Sequence, residues 1–111
     1  MPPWLTIRVM VGVQPELPGA DLVARGLADL YAGQASQDAL LVSIASPRLR
    51  RLGIEVPQLP KRVIGGVPEP YEHRLYDVLS NEDRARAHSR YNALLRRMVS
   101  YARAAKDASA G

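Results

Sequence analysis

The chain has 111 residues, no cysteine, two histidines and a formal charge of +4. That length fits one domain of common size but not two hydrophobic cores, and the lack of cysteine excludes disulfides, thiolate metal sites and cysteine nucleophiles. With 47% apolar and 23% charged residues, the proportions are those of a soluble globular protein rather than a disordered one.

The first apolar run, Trp4 to Val13, is interrupted by Thr6 and Arg8 and has about half the length of a membrane-spanning helix. No basic residue precedes it and no A-x-A cleavage site lies just after it. A signal peptide is therefore not expected, no membrane partner is expected, and the predicted location is cytoplasmic. Within the run, Leu5, Ile7, Val9, Val11 and Val13 alternate with Trp4, Thr6, Arg8, Met10 and Gly12, the period of a strand. A lone strand has two unpaired edges, and the internal candidates to pair with it, residues 54–56 and 62–64, are very short. The N-terminal segment 1–18 is thus read as a strand shared across a dimer, or as a further helix.

From Gly19 the period becomes helical. Ala20, Val23, Ala24, Leu27, Leu30 and Tyr31 form one stripe, Asp21 sits in the first turn where the helix dipole favours an acid, and Asp21 precedes Arg25 by four residues. Gly33 ends this helix. Ser36 is the predicted N-cap of a second, spanning about 37–45 with Leu40, Leu41 and Ile44. Pro47 opens a short turn of helix that Gly53 closes. Residues 53–69 form a Pro/Gly-rich connector, ordered or mobile, with Gly65-Gly66 as its softest point.

Pro70 starts a third substantial helix, with Tyr71, Leu75, Val78 and Leu79 as its apolar stripe. Ser80 and Asp83 are spaced as a capping box, which predicts a break at Ser80-Asn81 and a final helix over 82–106, roughly 36 Å long. Such a helix must span the whole body or protrude from it. The last eight residues are alanine-rich and predicted to fray.

The charge is segregated. Residues 1–60 carry five arginines and five acids, whereas 61–111 carry ten basic and six acidic residues, which places the whole excess there. On the final helix Ala87, Tyr91, Leu94, Leu95, Met98, Val99, Tyr101, Ala102 and Ala105 occupy one apolar arc, and Arg86, Arg90, Arg96, Arg97 and Arg103 lie opposite. Arg86 is placed to pair with Glu82, whereas Arg90 and Arg97 have no acid at three or four residues. The row Arg86, Arg90 and Arg97 is therefore a candidate contact face for phosphate or an acidic surface, joined by Arg48, Arg50 and Arg51 of the short helix. Tyr91, Leu94, Leu95, Met98 and Tyr101 are the candidate core or oligomer face. Tyrosine and alanine suit a mixed helix packing better than a coiled-coil seam.

No phosphate loop, nucleophile elbow, zinc helix or EF-hand spacing occurs. His73 falls on the polar face of its helix, four residues from Glu69 and Asp77, and His88 lies on the margin of the apolar arc; ligands on different faces do not converge on one metal. Over Arg84-Ala85-Arg86-Ala87-His88 the chain resembles the arginine–histidine signature of the small helical HEPN ribonucleases, but with three intervening residues instead of four to six, and it is not assigned to that family. These observations predict a mainly α fold: one domain, 1–111, built as a compact bundle of four to five helices with a long C-terminal helix. The function they favour is a small non-enzymatic interaction or adaptor protein, homo-oligomeric and without a cofactor. The alternative is a nucleic-acid-binding module using the arginine face.

Overall fold

The computed structural model describes residues 3–4 and 11–110, and over these the chain is mainly helical. Residues 3–4 are helical, and from residue 11 on the described residues form five helices and one hairpin: α1 (Ala20–Tyr31), α2 (Gln37–Ile44), α3 (Ser46–Arg51), β1 (Val63–Ile64), β2 (Val67–Pro68), α4 (Tyr71–Glu82) and α5 (Ala87–Ala110). The strand expected over 4–13 falls mostly on residues 5–10, outside the described residues. Val11 and Gly12 lie in a turn, and Val13 is buried.

Local chemistry accounts for most boundaries. The Ser36 hydroxyl accepts the Ala39 amide at 3.1 Å and donates to Asp29 Oδ2 at 2.5 Å, so the N-cap of α2 also ties the loop to the end of α1. Ala45 alone separates α2 from α3. Pro47 occupies the first turn of α3, where its missing N–H costs no helical bond. In α1 the stripe is buried through Ala20, Val23, Leu27 and Leu30, joined by Leu22 and Gly26.

The eight-residue α2 is the hub. It packs against α1, α3, α4 and α5, and five consecutive residues, Ala39 to Ser43, are buried. A helix that is apolar on all sides belongs inside the fold. Its one buried hydroxyl, Ser43, donates to the Ala39 carbonyl at 2.8 Å. The approach of α1 to α2 is closest at Gly26: a Cβ there would overlap Val42 Cγ2 and lie 2.5 Å from the Asp38 carbonyl oxygen. The α5 helix flanks this hub, and Met98, Tyr101 and Ala105 project into the core. The Tyr101 hydroxyl accepts the Gln14 amide at 3.3 Å, which anchors the segment entering α1. Burial pushes the Tyr101 phenol up from its ordinary value, partly opposed by that amide.

Two expectations need correction. The break between the last two helices lies at Asp83–Arg86, not Ser80-Asn81: α4 runs through Glu82 and the ladder closes with the Asp83 amide on the Leu79 carbonyl at 2.9 Å. The final helix accordingly spans 87–110 rather than 82–106, continuing through the alanine-rich end, and Ala105 on that end is buried. At 1.5 Å per residue its 24 residues measure about 36 Å, within a body 43 Å long, so it spans the molecule. Of the two readings of the connector, the ordered one holds. Gly65 and Gly66, at φ 59° and 80°, form the two-residue turn of the hairpin, a geometry with positive φ at both central positions that glycine adopts without steric cost. Upstream of it, Arg50 Nη2 donates to the Val56 carbonyl at 2.9 Å and the Tyr71 hydroxyl to the Leu59 carbonyl at 3.0 Å, so Ile54, Val56 and Leu59 are held in the core.

Candidate functional site

The arginine row of α5 is not free. Arg90 Nη1 donates to Glu82 Oε2 at 2.9 Å, and its Nη2 reaches Gln37 Oε1 at 3.4 Å. Arg97 Nη2 donates to Asp21 Oδ1 at 3.3 Å. Arg86 stands 3.8 Å from Asp83 rather than pairing with Glu82. Asp21 is shared with Arg25 at 3.7 Å, and Arg25 Nε lies 3.3 Å from Asp38 Oδ2. A chain of alternating charge therefore links α5, α1 and α2. Burial pushes the Asp38 carboxyl up, against the pull of Arg25. The expectation that Arg90 and Arg97 lack acidic partners is overturned, because their partners come from other elements, eight and 76 residues away.

The second predicted cluster divides. Arg50 turns to the connector, with Nη1 also 3.4 Å from the buried Ser46 hydroxyl, and so serves the fold. Arg48 and Arg51 face the opposite way, toward the C-terminal half of α5. Between α3 and α5 lies a groove with two confluent parts. One, of about 530 Å³, is lined by Arg48, Arg51, Leu52, Ala102, Arg103 and Lys106. The other, of about 360 Å³, shares Arg48, Arg51 and Ala102 and continues over Ile44, Ala45, Pro47, Leu95, Met98 and Val99.

The composition of this groove is asymmetric in charge. Four cations stand on its two banks, Arg48 and Arg51 on α3 and Arg103 and Lys106 on α5, and no described lining residue is acidic. Arg51 Nε donates to the Pro47 carbonyl at 3.2 Å. Among the described residues no carboxylate lies within ion-pair distance of Arg48, Arg103 or Lys106. The arginines at the end of α3 also complement the negative end of its dipole. The floor is apolar, with Val99 half-buried and standing outside the hydrophobic core and buried Ala102 lining both parts.

The candidate core or oligomer face divides as well. Met98 and Tyr101 are buried, and Tyr91 and Leu94 are half-buried against the same core. Tyr91 meets Tyr76 of α4 edge-on, with ring centroids 5.7 Å apart. Leu95 sits at the margin and reaches the groove. The helical projection counts Arg103 with the opposite face and leaves Lys106 out, yet Lys106 falls between Leu95 and Val99 and Arg103 about 40° beyond Val99, so their angular position is the signal for the groove.

The histidines do not converge. His73 is exposed on α4, and exposed His88 shares a 3.2 Å hydrogen bond with Asn92 one turn on. Among the described residues no group of three metal-ligating side chains is assembled, and no helix is long and apolar enough to cross a membrane. Arg84 lies in the exposed turn before α5. No protein-family model matches this sequence, and no curated protein and no solved structure matches it either.

Proposed function

We propose that this chain is a non-enzymatic interaction module that binds another protein through the groove between α3 and α5. One observation carries the reading: an apolar floor, with half-buried Val99 outside the core and buried Ala102 beside it, between two banks of cations of which none is ion-paired with a described acid. Apolar surface bordered by polar side chains is the usual make-up of a recognition patch. The nucleic-acid alternative drew on Arg86, Arg90 and Arg97, and two of these are held by acids of other elements, so no observation favours it over protein binding.

The test is site-specific photo-crosslinking in cells producing the full chain, with the photoreactive residue at Val99 or at Ala93, which is exposed on α5 but outside the groove. A protein adduct of defined mass is expected at 99 and absent at 93. The identified partner, purified, should bind Val99→Asp about tenfold more weakly than the native chain, the loss of one well-placed contact. Adducts with nucleic acid alone, or equal protein adducts at both positions, would overturn the reading.

A further inference from the structure

We infer that the occupant of the groove is an acidic amphipathic helix of a partner protein, about three turns long. The inference rests on the protein-binding reading above and adds the chemistry of the partner. Along α5 the groove runs over the twelve residues from Leu95 to Lys106, roughly 16 Å at the helical rise. A helix of about three turns matches that length and would lay apolar residues at i, i+3, i+4 and i+7 over the floor. Ala102, the smallest side chain lining both parts, keeps the floor low between Arg48 and Arg103.

Charge decides what flanks that stripe. With Arg48 and Arg51 on one bank and Arg103 and Lys106 on the other, a helix seated between them meets positive charge on both sides. Glutamate or aspartate on both flanks offsets that field, and lysine or arginine there is repelled. A nucleic-acid strand matches the cations but leaves the apolar floor without use, since its backbone contacts are polar. A second copy of the chain lacks the complement. Its most acidic exposed helix, α4, sets Glu72 and Asp77 beside His73 and Arg74, and its Glu82 is held by Arg90.

The probe is a display library of helical peptides about fifteen residues long, randomised on all faces and selected against the purified full chain. Selected peptides are expected to carry Asp or Glu on both flanks of an apolar stripe. Their affinity should fall about tenfold in Arg51→Glu/Arg103→Glu and at high salt, and stay within about twofold in Arg86→Glu, whose side chain lies outside the groove. Circular dichroism verifies that each variant is folded, as these side chains are exposed. Neutral or basic peptides whose binding is lost in Val99→Asp would overturn the acidic-helix inference while leaving the protein-binding groove intact. Peptides indifferent to Val99→Asp, or none at all, would overturn both. Displacement of the peptides by a single-stranded oligonucleotide at matched charge would assign the groove to nucleic acid instead.

Discussion

Gly26 shows how a single atom sets the spacing of the two central helices. In an isolated helix, alanine is better than glycine by about 1 kcal/mol. Here the added methyl would meet the Asp38 carbonyl oxygen at 2.5 Å and overlap Val42. Overpacking a core costs about 1–3 kcal/mol, and a backbone carbonyl yields less easily than a side-chain tip. That places the cost in the upper part of the range, so Gly26→Ala is expected to lose about 1–2 kcal/mol net, seen as a melting temperature lower by about 4 °C or more; an unchanged or raised midpoint would show that α1 and α2 can part without cost. Tyr101 tests a different term. Tyr101→Phe keeps the buried ring and removes the acceptor of the Gln14 amide, so chemical denaturation should report a loss of about 1 kcal/mol. Tyr101→Ala should cost about 3–5 kcal/mol because it also empties the site between α5 and the core.

At the scale of elements, the hairpin is held less by its two-residue strands than by what closes its base. Arg62 Nε donates to Glu69 Oε2 at 2.6 Å, and the Glu69 amide donates to the Arg62 carbonyl at 2.7 Å. Val63, Ile64 and Val67 are each about 60% exposed, so little apolar burial supports the tip. The Arg62 guanidinium holds the Glu69 carboxyl below the usual glutamate value. A carboxylate lowered on folding contributes stability that is present above its unfolded value and lost as pH falls through the lowered one. Nuclear magnetic resonance should find Glu69 titrating below free glutamate, with the Gly65 and Gly66 amides shifting along the same curve. In Arg62→Ala that depression should vanish while the helices stay intact. Glu69 titrating at the ordinary value in the native chain would show that the pair does not persist in solution. The same scale explains α2: its apolar residues face every direction, so helical periodicity alone did not mark it as the hub.

Over the whole molecule, the arithmetic of charge and the geometry of charge part company. The excess of four positive charges belongs to residues 61–111, as the linear count shows, but within that half the arginines differ in fate. Arg90 and Arg97 are tied to acids on α4 and α1, while Arg103 and Lys106 join Arg48 and Arg51 from a half that is neutral overall. What the sequence by itself determined were the local features: the start of α1, the Ser36 cap, the Pro47 and Pro70 helix starts, the stripe Tyr71, Leu75, Val78 and Leu79, and the mainly helical class. These depend on residues within a turn or two of one another, so spacing and capping chemistry express them directly. The Ser80-Asn81 break failed even at short range, because the apolar contacts of Leu79 with the core carry α4 through the capping signal. Only the tertiary structure decided which arginines are free and which apolar residues of α5 lie outside the core. Ion pairing and burial depend on distances between elements far apart in the chain, and those distances come into existence only when the helices pack.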